Sequence, residues 1–370
     1  MINKKARVIA FYLPQYHPTP ENDKFWGKGF TEWTNVAKAK PLFKGHYQPR
    51  IPADLGFYDL RLPQVREAQA EMAREAGVEG FMYWHYWFGN GKMLLEKPFE
   101  EVLASGKPDF PFCLGWANHD WSTKTWKDQN GNSKGAVMIA EQLYPGKEDY
   151  INHFNYCLLA FKDSRYITVD GKPIFFIYDP VSHPDMKEFI ELWRTLAMEN
   201  GLKGIHFVGN CVGRTSSVEQ IMAMGFDAVT TNRMYKGEVA VVGSVWRRRL
   251  NTLLTWYMGG LKLSKYDYAT VVNNMSDPID REEYCYPSII PGYDRTPRAG
   301  RAAHIYDNAT PEAFKNHVHN VLQYVKDKDY EHKIIVLKSW NEWGEGNYME
   351  PDLKYGHGFL DALADEVFDK

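Results

Sequence analysis

The chain has 370 residues, 44% of them hydrophobic and 25% charged, and a formal net charge of −3. That balance is typical of a soluble globular protein. With no basic tail, the charge gives nucleic acid no footing.

Aromatic residues make up 15% of the chain, with 12 Trp and 23 Tyr. Such rings offer a flat apolar face and a polar tip, which suits sugars with their C–H faces edged by hydroxyls. A large aromatic core accounts equally well for about half of the tryptophans. Cys113, Cys157, Cys211 and Cys285 are scattered, without metal-ligand or redox spacing, as in a reduced cytosolic protein. The apolar run 8–13 stops at Pro14, too short for a secretory core, and no run reaches membrane-spanning length. A cytoplasmic location is the expectation.

Arg7-Val8-Ile9-Ala10-Phe11-Tyr12-Leu13 predicts a first strand, broken at Pro14-Gln15-Tyr16-His17-Pro18. Segment 19–60 is too long for a plain connection and reads as a functional loop folded over one face. Pro63 opens a helix with Val65, Ala68, Met72 and Ala76 on one side, closed by Gly77. A strand over 80–84 ends in His85-Tyr86-Trp87, a helix follows over 98–104, and a strand over 111–116 ends in Ala117-Asn118-His119-Asp120-Trp121. A polar excursion with Gly131 and Gly135 leads to a helix over 149–161 and a strand over 173–178 ending at Asp179-Pro180. Next come a helix over 184–200, a strand over 204–209 ending at Asn210, a helix over 217–224, and a strand over 226–231 ending in Asn232-Arg233. A basic amphipathic stretch over 245–258 is interrupted by Gly259-Gly260, and a helix is expected over 266–274. The remaining elements are a strand over 286–290 ending in Tyr293-Asp294-Arg295, a helix over 311–326, a strand over 334–337 and a helix over 360–368.

Short apolar strands alternating with helices imply parallel pairing. Eight such units, with no obvious linker, predict an α/β fold: one (β/α)₈ barrel domain over 1–370, including the long 14–60 loop and a 235–280 excursion. An open doubly wound sheet fits less well, because the glycine-rich dinucleotide turn is missing after the first strand.

A barrel gathers its chemistry at the C-terminal ends of its strands. Those ends supply Tyr16, His17, Trp84, His85, Trp116, Asn118, His119, Asp120, Trp121, Tyr178, Asn232, Tyr293, Asp294, Asn341 and Trp343 as candidate sugar contacts. Any one of them could instead be a helix cap or a core residue; the recurrence at corresponding places is the signal. Asp294-Arg295 reads equally as a structural ion pair. The last strand breaks into Trp340-Asn341-Glu342-Trp343-Gly344-Glu345-Gly346, with two carboxylates three residues apart beside aromatic rings. Two nearby carboxylates are what breaking or making a glycosidic bond requires; a solvated loop pair is the plainer alternative. A metal site from His85, His119 and Asp120 lacks ligand spacing, so neither metal nor cofactor is expected. Stretch 246–265 reads first as a helix outside the barrel with Arg247, Arg248 and Arg249 in solvent. Contact with an anionic membrane surface is the second reading.

Five motifs together resemble the WbsX-like family: Phe11-Tyr12-Leu13-Pro14-Gln15-Tyr16-His17, Gly29-Phe30-Thr31-Glu32-Trp33-Thr34-Asn35, Gly45-His46-Tyr47-Gln48-Pro49, Trp84-His85-Tyr86-Trp87-Phe88, and the Trp340–Gly346 stretch. That family is associated with lipopolysaccharide O-antigen clusters and related to glycoside hydrolase family 99. The resemblance runs over nearly the whole chain and implies a barrel acting on an oligo- or polysaccharide, without a metal. It implies a retaining endo-α-mannosidase or mannanase type of hydrolysis, through participation of the sugar 2-hydroxyl and a 1,2-anhydro sugar. By the same resemblance Glu342 is the base at O2. Glu345 is the acid for the leaving oxygen, needing a raised pKa that Trp340 or Trp343 supplies by desolvation. One departure stands out: where the family shows an Asn-Glu-Asn-Trp type sequence, this chain has Asn118-His119-Asp120-Trp121. A glycosyltransferase of O-antigen assembly is the second reading, and a glycan-binding barrel without turnover is the third. Against transfer, no phosphate-cradling glycine loop is evident.

Overall fold

The apolar and β-branched runs become strands because each is covered on both faces, as in parallel sheets generally. The computed structural model describes residues 3–122, 137–212, 216–257 and 262–369. The barrel strands are β1 (Arg7–Tyr12), β2 (Val78–Trp87), β3 (Phe112–Trp116), β4 (Lys172–Ile177), β5 (His206–Val212), β6 (Ala228–Asn232), β7 (Cys285–Ile289) and β8 (Ile334–Leu337). All neighbours in this ring pair in parallel, and β1 closes it by pairing with both β8 (Ala10 opposite Leu337) and β2 (Tyr12 opposite Tyr83). The fold is therefore a (β/α)₈ barrel.

The helices in chain order are α1 (Pro20–Trp26), α2 (Glu32–Lys38), α3 (Pro63–Glu75), α4 (Lys97–Ser105), α5 (Lys147–Phe161), α6 (Met186–Glu199), α7 (Val218–Ala223), α8 (Met234–Val242), α9 (Val245–Tyr257), α10 (Tyr268–Asn273), α11 (Thr296–Ala299), α12 (Pro311–Val325) and α13 (Gly358–Val367). Helices α1 and α2 lie within the long loop after β1, and α8 to α10 make up the excursion after β6. That excursion also holds a short strand, Ser264–Asp267, parallel to His304–Asp307, which replaces the expected start of a helix at 266. Gly131, Gly135, Met258, Gly259 and Gly260 lie outside the described residues.

Alternation along each strand decides which side chains reach the cleft. Phe11 of β1 touches Trp84 of β2 and Phe176 of β4, with ring centroids 4.9 and 5.9 Å apart. Since β1 and β4 are not paired, the Phe11–Phe176 contact crosses the barrel interior. Tyr83, one residue before Trp84, instead meets Phe99 of α4, outside the sheet. At the opposite, N-terminal end, buried Arg7 pairs with Glu79 at 2.7 Å and Glu331 at 3.5 Å. Such a plug serves stability rather than chemistry.

Strand β2 is longer than its sequence suggests, running through His85-Tyr86-Trp87. Pairing of Tyr86 and Trp87 with the short strand Met93–Leu94 keeps its end extended.

Candidate active site

After β8, residues Asn341–Glu342 pair antiparallel with Asn347–Tyr348, and Trp343–Glu345 form the 3₁₀ turn between them. Two glycines allow so tight a loop. Gly346 sits at φ +57°, and a Cβ at Gly344 would lie 2.4 Å from a Glu32 carboxylate oxygen. The Asn341 amide clamps the loop to the end of β1, accepting from Leu13 N at 2.8 Å and donating to Leu13 O at 3.1 Å. The Tyr16 hydroxyl donates to Asn341 O at 2.6 Å and accepts from Trp343 N at 3.1 Å.

Both tryptophans of the loop are fully buried and serve a third carboxylate. Glu350 accepts from Trp343 Nε1 (2.6 Å), Gln69 Nε2 (2.6 Å), Tyr58 Oη (2.8 Å) and Trp340 Nε1 (3.2 Å). Burial raises its carboxyl to about 7, against the pull of these four donors. The expectation that Trp340 or Trp343 desolvates Glu345 is corrected here: the indoles face Glu350, and Trp343 stacks on Tyr348 at 3.6 Å. Glu350→Gln turns an amide N–H₂ toward donors that need an acceptor. It should therefore destabilise the fold by about 1–3 kcal/mol, read as a shift in the urea midpoint; an unchanged midpoint would remove Glu350 from its supporting role.

Glu342 and Glu345 share one guanidinium. Arg298 of α11 reaches Glu342 Oε2 with Nη2 at 2.9 Å and Glu345 Oε1 with Nη1 at 2.9 Å. Its Nε donates at 2.8 Å to Glu32 of α2, which Nη2 also contacts. Glu32 is fully buried, and its Oε2 has no hydrogen-bond partner among the described residues. Arg295 adds a second cation, 3.4 Å from Glu345.

The surroundings separate the two loop carboxylates. Burial pushes Glu342 up to about 7; Arg298 opposes the rise, while Glu345 and Glu32 reinforce it. Burial also disfavours charge on Glu345, but Arg298, Arg295 and Lys338 outweigh it and hold this carboxyl below the usual carboxylate range. The pair thus takes up one shared proton as pH falls toward neutrality and below, and the surroundings favour Glu342 as its holder. This reverses the charge state expected for Glu345.

The pair opens on a cleft of about 390 Å³. Among the residues expected from sequence, Trp84, His119, Trp121, Tyr178, Tyr293, Glu342 and Glu345 line it. Phe11, Gln15, Tyr86, Arg295, Arg298, Lys338 and Ser339 line it as well, though none was named beforehand as a sugar contact. The aromatic wall is continuous: Tyr178 meets Trp84 at 5.7 Å and His119 at 5.0 Å, and Tyr86 stacks on Trp121 at 6.0 Å.

The other expected contacts lie elsewhere. Tyr16, Asn341 and Trp343 support the loop from beneath. His17 is buried within the long loop, away from the cleft lining. His85 points behind β2 to His153 of α5, Nε2 to Nε2 at 2.8 Å, and burial lowers it to about 3. Trp116 also faces the helices, donating to Trp87 O at 2.9 Å. Asn118 ties β3 to the end of β4, donating to Asp179 O at 2.7 Å and accepting from Asp179 N at 2.8 Å. Asp120 is exposed and accepts from Gln142 N at 2.8 Å. Asn232 accepts from Met234 N at the start of α8, at 3.2 Å.

Asp294 is fully buried beside a separate cavity of about 150 Å³ behind Gly346. It accepts from Gln48 at 2.7 Å and pairs with His46 at 2.8 Å. With Arg50 and Thr296, His46 overcomes the effect of burial and holds the acid at about 2. The Asp294-Arg295 ion pair read from sequence is therefore two separate pairs, Asp294–His46 and Arg295–Glu345.

The three residues of the conceivable metal site are not brought together. His85 lies instead with His153 and Cys157, their ligand atoms within 4.8 Å of one another. A hydrogen bond between two uncharged imidazoles accounts for the closest of these contacts, and burial keeps Cys157 protonated.

A family model described as "Glycosyltransferase WbsX" matches residues 8–363. Two proteins called "Uncharacterized protein WxcX", from two strains of Xanthomonas campestris pv. campestris, are each 34% identical over 360 residues. The match covers 96% of this chain and 49% of each relative, so the chain spans about half the length of the curated relatives it matches. A solved "Glycoside hydrolase-like protein" superposes with a TM-score of 0.64 at 16% identity, covering 100% of this chain and 96% of that one. The GH99 endo-α-mannosidase of Bacteroides thetaiotaomicron, solved with BIS-TRIS-propane, superposes at 0.56 and 16% identity, covering 97% and 95% of the two chains. At that identity the likeness speaks for the fold alone.

Proposed function

Because the chain belongs to the WbsX glycosyltransferase family, we propose that its cleft makes or breaks a glycosidic bond, with Glu342 and Glu345 sharing the one proton the chemistry needs. The observation that carries this reading is Arg298, which holds both carboxylates at 2.9 Å while their surroundings drive their proton affinities apart. Two carboxyl groups with divergent affinities in one aromatic cleft suit acid–base work on a sugar.

The first reading is retaining hydrolysis through the sugar's own 2-hydroxyl. In its first step Glu342 takes the O2 proton, O2 bonds to C1, the C1–O bond to the leaving group breaks, and Glu345 protonates the departing oxygen. Glu342 then holds the proton and Glu345 is ionised. This is the arrangement the free site prefers, so the surrounding charges favour the products of that step. The cost lies at the start, when the proton must sit on Glu345. In the second step ionised Glu345 takes a proton from water, the water oxygen bonds to C1, the C1–O2 bond breaks, and O2 recovers its proton from Glu342.

Transfer is the second reading. It is favoured by the family description and by Arg295, Arg298 and Lys338, three cations beside the cleft that suit a phosphate leaving group. His119 stands at the mouth where the family pattern carries a carboxylate, and it is the residue we assign to substrate choice. The test is a screen of mannans, O-antigen oligosaccharides, UDP-sugars and GDP-sugars with product analysis. Shortened glycans with retained anomeric configuration are expected. Consumption of a nucleotide sugar would replace hydrolysis by transfer, and binding without turnover would sink both.

A further inference from the structure

The excursion after β6 contains a helix that is inside out. Trp246, Leu250, Leu253 and Tyr257 of α9 are 76%, 55%, 53% and 78% exposed. Their spacing of four, three and four residues makes them one stripe along the helix. The inward face is polar. Buried Arg248 pairs with Glu238 and lies over the Tyr235 ring at 4.2 Å. Thr255 Oγ1 meets Ser264 Oγ at 3.0 Å, and Lys262 donates to Asn251 at 2.7 Å. Arg248 thereby departs from the expectation that all three arginines face solvent. An ordinary surface helix buries its apolar stripe; this one is fixed by ion pairs and hydroxyls and turns Leu250 and Leu253 outward.

The charge around the stripe has one sign. Between Glu238 and Asp267 the sequence has no Asp or Glu, while it carries Arg247, Arg248, Arg249, Lys262 and Lys265. Arg248 and Lys265 are paired with Glu238 and Asp307. Arg247 and Arg249 are exposed on the helix beside the stripe, and Arg249 lies over the Trp246 ring at 5.6 Å. A second copy docked on the same stripe would bring like cations together. A surface that is apolar within and anionic at its boundary complements both features.

We propose that α9 seats the protein on an anionic lipid bilayer, with Trp246, Leu250, Leu253 and Tyr257 entering the interface and Arg247 and Arg249 meeting the headgroups. The helix belongs to the segment that leaves the C-terminal end of β6, and it packs against Gly300–Ala302, immediately after the α11 turn that carries Arg298. Docking there places the bilayer beside the element that follows Arg298. The inference stands on the helix alone and does not depend on the reaction in the cleft.

Flotation of the full chain with vesicles tests it. Co-flotation is expected at low salt with equal parts phosphatidylglycerol and phosphatidylcholine, but not with phosphatidylcholine alone. The pairs Leu250→Glu with Leu253→Glu, and Arg247→Glu with Arg249→Glu, lie at exposed positions. Each should cut the bound fraction at least about tenfold with the melting temperature unchanged. A wild-type chain that stays with the soluble fraction overturns the proposal. So does binding that survives both pairs of substitutions. A dimer in light scattering that Leu250→Glu with Leu253→Glu dissolves, without vesicle binding, would assign the stripe to a second copy instead.

Discussion

Replacing Arg298 by glutamine is expected to cost about 3–5 kcal/mol of stability and to abolish turnover. One buried guanidinium answers three carboxylates, Glu32, Glu342 and Glu345, and the side chains of Arg298 and Glu32 are 11% and 0% exposed. Removing a single partner from such a cluster leaves charges that neither water nor protein compensates, which exceeds what an exposed ion pair contributes. Arg295 and Lys338 remain near Glu345, so the largest unmet demand falls on Glu32, whose Oε2 is already without a hydrogen bond among the described residues. A double-mutant cycle reads this directly. Glu32→Gln in the Arg298→Gln background should recover part of the lost stability, with a coupling of about 1–3 kcal/mol in urea denaturation. Arg298→Lys should keep the charge but not the fork, and land between the two. A loss below about 1 kcal/mol, or strict additivity, would show that the cluster does not act as a unit.

The barrel is legible because its eight apolar runs are short, separated by helices, and flanked by turn residues; burial on both faces does the rest. The cleft is only half legible. Glu342 and Glu345 stand out because a core strand has no use for two carboxylates beyond its end. Arg298 and Glu32 do not stand out: Arg298 lies in a four-residue helix without periodicity, and Glu32 reaches the site only because the long loop folds back over the mouth. Treating every residue past a strand as mouth-facing misplaced His85, which alternation puts on the opposite face from Trp84 and Tyr86. The structure supplies what the sequence reading lacked, since β2 continues through Trp87 beyond the end expected at 84. Trp343 and Asn341 were misjudged for another reason. A loop that must hold two carboxylates in place needs its own buried supports, and an indole hydrogen-bonded to Glu350 looks in sequence like one offered to a sugar.

The arrangement also explains why supports and cleft are interleaved in the chain. Residues 340–350 supply both the working carboxylates and, through Trp340, Trp343 and Glu350, the platform beneath them. Asp294 N donates to Glu345 O at 2.6 Å, and Asp294 Oδ1 accepts from Thr296 N at 3.0 Å, so the loop and the start of α11 are joined. The position of Arg298 is thereby coupled to that of Glu345 through the backbone as well as through charge.

Glu342→Gln and Glu345→Gln should each lower kcat/KM by about 10²–10⁴-fold on whichever glycan the screen identifies. The wild-type profile should be bell-shaped, because the working form of the pair carries one proton in total. Its two limbs belong to the pair rather than to either residue. Activity should fall on the alkaline side as the proton held near 7 is released, and on the acid side as Glu345 takes up a second. Stability carries an independent signature. Because the folded state raises Glu342 from 4.5 to about 7, it binds that proton more tightly than the unfolded chain does. The resulting stabilisation is complete below 4.5 and is lost as pH rises through about 7. In Glu345→Gln the neighbouring charge that helps raise Glu342 is gone, so the decline should be smaller in total and end at lower pH. In Glu342→Gln the share that Glu342 contributes should disappear, leaving the decline that Glu350, also raised to about 7, contributes. Urea denaturation across that window measures both variants without any substrate. Equal slopes in wild type and Glu342→Gln would place the shared proton elsewhere, and with it the acid–base assignment of the loop.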